Sequence, residues 1–116
     1  MKNDLEDRTA VFGENVIRFC RKIRADHISR PLISQMIRSA ISVGANYMEA
    51  KGASSKKDFK NKLYICKKEI QETKHWLRMI NTSNPEYLTE LKLLWKEAHE
   101  LTLIFSKALG TMNLNT

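Results

Sequence analysis

Glycine and proline are scarce in this 116-residue chain, four of the first and two of the second, so few positions force a helix to break. No run of about 18 uncharged apolar residues occurs, which argues against a membrane-spanning helix. The opening residues, MKNDLEDRTAVF, mix acids into the place where a signal peptide keeps its apolar segment, and a cytoplasmic protein is expected. The two cysteines, Cys20 and Cys66, form no CxxC pair and fall at seam spacing on helices. They read as buried thiols in a reducing compartment rather than a disulfide or a metal site. No glycine-rich phosphate loop is present, and no Ser or Cys has an identifiable base and orienting group. These absences point away from an enzyme.

The stretch Lys56 to Ile80 organises what is present. Phe59, Leu63, Cys66, Ile70, Thr73, Leu77 and Ile80 recur at alternating steps of four and three, which places them on one stripe of an α-helix, the seam of a bundle. Ile65, Trp76 and Met79 make a second apolar stripe beside it. A helix that buries one face needs only one, so the second suits a contact with another copy or another protein, with core packing as its rival.

Three more helices flank this one. Asn3 or Asp4 can cap the first, and Glu6 and Asp7 suit the positive end of its dipole. Leu5, Phe12, Val16, Phe19 and Ile23 carry its stripe, and its expected span is about 4 to 25. The second is expected over about 31 to 51, with Pro31 in its first turn and Ser29 or Arg30 at its cap. Its middle, SAISVGAN (39 to 46), is small and partly polar, so a neighbouring helix can come close while Ser42 and Asn46 require hydrogen-bond partners. Close packing is the expected compensation for Gly44, which costs up to about 1 kcal/mol relative to Ala in a helix interior. Ser55 with Asp58 resembles a capping box opening the third helix, about 56 to 80. Asn84 as cap and Pro85 at the first position open the fourth, about 85 to 109, with Leu88, Leu91, Trp95, Ala98, Leu101 or Thr102, Phe105 and Ala108 inward. Gly110 marks its end, leaving 111 to 116 as a flexible tail. Connections this short cannot run back along a helix. The fold expected is all-α: one domain over residues 1 to 116, an antiparallel up-down-up-down four-helix bundle.

The formal charge is +7, and its placement matters more than its size. Residues 51 to 78 carry nine basic side chains against three acidic ones, whereas 81 to 116 carry three against four. The candidates for an anionic partner are Lys56, Lys57, Lys60, Lys67, Lys68, Lys74 and Arg78, with Arg21, Lys22 and Arg24 secondary. They are expected to point several ways around the helix, so that not all serve one strand. The competing account is a Lys-rich face that keeps a helical oligomer soluble. Arg38, Asn46, Glu49, Glu69 and Glu72 stand near the seams of helices two and three and are expected to form a polar network that sets register, with a ligand site as the alternative. Glu72 and His75 make one Glu-x-x-His step, but His99 has Lys96 where a second step requires Glu. A di-metal centre therefore lacks half its ligands, and neither metal nor cofactor is expected. His27 lies in a connection with no visible partner.

Helices two and three also resemble the four-helix-bundle family of 23S ribosomal RNA intervening-sequence proteins. The resemblance is carried by IRSAISVGANYMEA (37 to 50) and SKKDFKNKLYICKKEIQETKHWLRMI (55 to 80), within which Lys67 to Glu69, Glu72 to Thr73 and Trp76 to Arg78 match the family's spacing. The chain has Val-Gly-Ala-Asn at 43 to 46 where other members carry Ile-Pro-Ser-Asn, and Lys-Gly-Ala-Ser at 51 to 54 in place of an Arg-Ala turn. The resemblance implies a small bacterial cytoplasmic protein that assembles as a homopentameric ring. A relative within it, the accessory variability determinant of diversity-generating retroelements, binds a reverse transcriptase and nucleic acid. The function expected is thus a non-enzymatic oligomer whose basic surface holds RNA or a DNA–RNA hybrid. The alternative is a protein-interaction scaffold, such as a reverse-transcriptase partner.

Overall fold

A computed structural model describes residues 5–114. These form four helices, α1 (Leu5–Cys20), α2 (Ser29–Lys51), α3 (Lys56–Ser83) and α4 (Leu88–Leu114), with a 3-10 turn, Pro85–Tyr87, leading into α4. No strand occurs among the described residues, and the helices pack as a four-helix bundle measuring 47 × 26 × 21 Å. The expected caps Asn3 and Asp4 lie outside the described residues.

The core follows the seams. On α3 the stripe from Leu63 through Cys66, Ile70, Thr73 and Leu77 to Ile80 is buried, and Phe59 packs against its edge. Phe12, Val16 and Phe19 of α1, Met36, Ala40 and Val43 of α2, and Leu91, Leu94, Ala98, Leu101 and Phe105 of α4 complete it. The α2–α3 contact is the most extensive and the α1–α4 contact the least. Along the α2–α3 seam, Lys62 Nζ meets Glu49 Oε1 at 2.8 Å, the Cys66 thiol donates to the Val43 carbonyl at 3.5 Å, and the hydroxyls of Thr73 and Ser39 lie 2.8 Å apart. Each threonine or serine hydroxyl in that buried pair also donates to, or lies against, its own helix's backbone, Thr73 to the Glu69 carbonyl and Ser39 to that of Met36. Polar groups in the seam are thereby satisfied.

The small residues of α2 do bring a helix close. A Cβ on Gly44 would stand 3.5 Å from the backbone of Thr9 and Ala10 in α1, an ordinary van der Waals contact. Ser42 and Asn46 satisfy each other, the Asn46 amide donating to the Ser42 carbonyl at 2.8 Å and to its hydroxyl at 3.0 Å.

Several boundaries differ from expectation. Helix α1 stops at Cys20 rather than near 25, because the chain tightens there. The amides of Lys22 and Ile23 bond three residues back, to Phe19 and Cys20, and this turn tucks Ile23 into the core. Helix α2 begins before Pro31, and neither Ser29 nor Arg30 caps it. Asp26 does: its carboxylate accepts from the amides of Ile28 at 3.0 Å and Ser29 at 2.9 Å, while the Ser29 hydroxyl accepts from the Asp26 amide at 2.9 Å. This reciprocal box holds the Asp26 carboxyl below its ordinary value, chiefly through the Ser29 amide. Ser55 caps α3 as expected, accepting from the Asp58 amide at 3.0 Å. Asn84 is not a side-chain cap; it is buried, and the helix it was expected to open starts as a 3-10 turn. Helix α4 runs through Gly110 to Leu114, so the residues expected as a loose tail continue the helix as far as they are described. Met112 packs against the core and gives that last turn a reason to form.

Candidate nucleic-acid interface

Helix α3 is divided lengthwise by charge. At 100° per residue, Lys56, Lys57, Lys60, Lys67, Lys68, Lys74 and Arg78 fall within one arc of about 120°. The lysines therefore do not scatter around the helix; they share one flank. Lys56, Lys57, Lys68 and Arg78 are exposed, and Lys60, Lys67 and Lys74 are half-buried. The α3 acids turn the other way, toward α2, where Glu69 and Glu72 meet Arg38. Contacts within the arc and at its edge fix which side it occupies: the Asn113 amide of α4 donates to the Tyr64 hydroxyl at 3.3 Å, and Lys74 Nζ lies 2.9 Å from His99 Nδ1 of α4. The basic arc thus looks outward and along the α3–α4 flank.

On α1 and α2 most cations are matched with acids, whereas Lys92, Lys96 and Lys107 of α4 pair with no carboxylate among the described residues. Arg8 forks onto Glu97 at 2.7 and 2.9 Å and reaches Glu100 at 2.7 Å, joining α1 to α4. Those bonds, with Glu97 foremost, raise the guanidinium above its ordinary value. Lys51 meets Glu6 and Lys62 meets Glu49. Among the described residues, no carboxylate pairs with Lys56, Lys57, Lys60, Lys67, Lys68 or Arg78. The secondary candidates lie off this helix, on the chain leaving α1. Lys22 is 3.9 Å from Glu90 and its carbonyl accepts from the Tyr87 hydroxyl at 3.0 Å, while Arg21 and Arg24 are exposed.

The five polar candidates do not form one network. Arg38 of α2 donates to Glu69 at 3.2 Å, to Glu72 and, from Nε, to Gln35 at 3.0 Å. Glu69 is nearly enclosed, with 9% of its side chain exposed, whereas Arg38 keeps 47% in solvent. Asn46 is bound to Ser42 instead, and Glu49 to Lys62. Register between α2 and α3 therefore rests on one Arg–Glu cluster and separate flanking bonds. Ile65, Trp76 and Met79 are all half-buried, and Trp76 packs against the core with its indole N–H buried and without a hydrogen-bond partner among the described residues.

The reading of α4 fails at Leu88, expected inward and 43% exposed, and most plainly at Trp95. It was expected inward, yet Leu94 takes the core position and Trp95 is 43% exposed. Its indole stacks on the His99 ring, centroids 5.0 Å apart and planes 10° from parallel, and Lys74 Nζ lies 4.6 Å from the indole centroid. An aromatic pair thus borders the basic arc. The i, i+4 spacing of Trp95 and His99 was the available signal for it.

The family model for 23S rRNA-intervening sequence proteins matches residues 2–107. The chain belongs to that family. The chain is similar to the crystal structure of a protein of unknown function from the S23 ribosomal protein family of Bacteroides thetaiotaomicron VPI-5482, with a TM-score of 0.81. The two share 24% sequence identity, over 91% of this chain and 98% of that one, a likeness of fold. No curated protein matches the sequence.

Proposed function

We propose that this protein is a non-enzymatic, cytoplasmic RNA-binding bundle that holds the phosphates of RNA, or of a DNA–RNA hybrid, along α3. The observation that carries the reading is the one-sided arc of α3 cations, none paired with a carboxylate among the described residues, whereas α1 and α2 pair most of theirs. The family description points to the same polyanion. From Lys57 to Arg78 the arc runs about 30 Å at 1.5 Å per residue, long enough for several successive phosphates. Neighbouring helices run antiparallel, up-down-up-down, in this reading; short connections support it, as do α2 partners that fall in number as those on α3 rise. The homopentameric ring implied by the family resemblance repeats the arc and raises avidity without base-specific contacts.

Binding of a short single-stranded RNA, measured by fluorescence anisotropy across a salt series, tests this. The logarithm of the binding constant should fall linearly with that of salt, at about 0.7 per phosphate engaged. Neutralising Lys57, Lys60 and Lys67 together with Gln should reduce that slope by about 2. No binding at low salt, or a slope the triple variant leaves unchanged, would overturn the proposal.

A further inference from the structure

Between α3 and α4, beside the basic arc, lies an open groove of about 220 Å³. It is below the range of drug-sized ligand sites and suits a single flat heterocycle. Leu77 and Leu91 are its buried floor, and Leu88 and Trp95, each 43% exposed, are its walls. Arg78 and Lys92 stand at the rim, and no carboxylate lines it. Asn81 lines it as well, and its Oδ1 is buried with no donor among the described residues. Such an unmet acceptor is unusual and is what a base N–H supplies, the ring imide of uracil or the amino group of adenine.

The indole is prepared on one side only. His99, four residues ahead on α4, stacks against it, and Lys74 bridges the two rings. Leu91 and Lys92 lie four and three residues behind, so helix spacing puts the groove against the opposite side of the ring. A flat ring entering the groove would complete a stack of base, indole and imidazole, with phosphates before and after it in reach of Arg78 and Lys92.

We infer that this groove takes one unstacked nucleobase of a single-stranded RNA, Trp95 being its stacking platform and Arg78 and Lys92 its phosphate clamps. This rests on the proposed function and narrows it, because a duplex has no base to offer. Charge selects the occupant: an apolar slot rimmed only by cations suits a heterocycle carried on a polyanion. The cost of unstacking is lowest in loops and free strands, where sequence-tolerant recognition of RNA concentrates.

The test compares oligouridylate and oligoadenylate single strands with a perfect RNA duplex, for the wild type, Trp95→Leu, Trp95→Phe and the α3 triple Lys→Gln variant. Trp95 is partly exposed, and circular dichroism will verify that the variants fold. Trp95→Leu should weaken single-strand binding roughly 5- to 150-fold, the span of one base–aromatic stack, and leave duplex binding unchanged. Trp95→Phe should restore most of the loss, and single strands should quench the wild type's tryptophan emission. If Trp95→Leu leaves single-strand affinity intact while the triple variant loses it, the phosphate-binding reading stands and the groove belongs to another occupant, such as a protein segment. Equal loss on duplex and single strand would make the groove a backbone contact and overturn the inference. Failure of the wild type to bind either would overturn both.

Discussion

The Arg38–Glu69 pair offers the sharpest test of how α2 and α3 hold register. Replacing Arg38 with Met keeps the stem that covers the seam and removes the charge. Glu69 is then left with 9% of its side chain exposed and its Arg38 partner gone. Stranding a fully buried charge costs about 3–5 kcal/mol, and losing a hydrogen bond to a charged group about 1.5–3 kcal/mol. Arg38 is 47% exposed, so water already screens the pair and the lower end applies, about 2 kcal/mol. Glu72 also loses its partner but is 40% exposed and adds little. With a urea slope of about 2 kcal/mol per molar, the unfolding midpoint should drop by about 1 M, measured by circular dichroism at one fixed protomer concentration. Removing both charges, Arg38→Met with Glu69→Leu, should return the midpoint to within about 0.5 M of wild type, since apolar residues of similar volume replace such pairs at little cost. A single variant as stable as wild type would mean the Glu69 carboxylate finds water unaided. A double variant no better than the single one would mean the loss is not due to a stranded charge. Either result refutes the argument.

Two other predictions concern the glycines and the thiols. A Cβ at Gly110 meets nothing within 4 Å, and at Gly44 only ordinary contacts at 3.5 Å, so Gly110→Ala should stabilise by about 1 kcal/mol and Gly44→Ala by less, read as rises in thermal midpoint. Destabilisation by Gly110→Ala would show that α4 does not continue through that position. Burial pushes the Cys20 thiol up to about 11 and that of Cys66 up to about 12, from an ordinary value of 9.0. Folding therefore retains protons that the unfolded chain releases, and stability should fall as pH rises from about 9 toward those values, having been fully present below. Urea midpoints from pH 8 to 11 should decline less steeply for the Cys20→Ala, Cys66→Ala variant than for wild type; parallel declines would show the thiols to be ordinary.

Where the sequence was legible, one local signal agreed with the packing. The four-three spacing of Leu63 to Ile80 found the α3 seam, and Ser55 found its cap, because both are set within a few residues. Helix ends depended on contacts no periodicity carries. Ile23 continues the α1 stripe and yet reaches the core through a tightened turn. Pro31 drew attention from the Asp26–Ser29 box, and Gly110 signalled a stop that Met112 overrides by packing on the core. On α4 both Leu94 and Trp95 fit an apolar step after Leu91, and only the neighbouring helices decide which turns inward. The charge asymmetry of α3 was visible in composition, but not its segregation. That emerges when the lysines are placed around the helix and the acids are seen to be occupied by Arg38 and its neighbours.

The weakest seam has a consequence for any experiment done in salt. The α1–α4 contact is the sparsest of the bundle, and Arg8 with Glu97 and Glu100 is its principal tie across 89 residues of chain. Rising ionic strength slackens this clasp, whereas the joint between α2 and α3, though it also carries ion pairs, keeps the broad apolar contact that salt does not screen. One knob thus turns two screws, and a titration in potassium chloride that tests the proposed RNA binding also loosens the first helix.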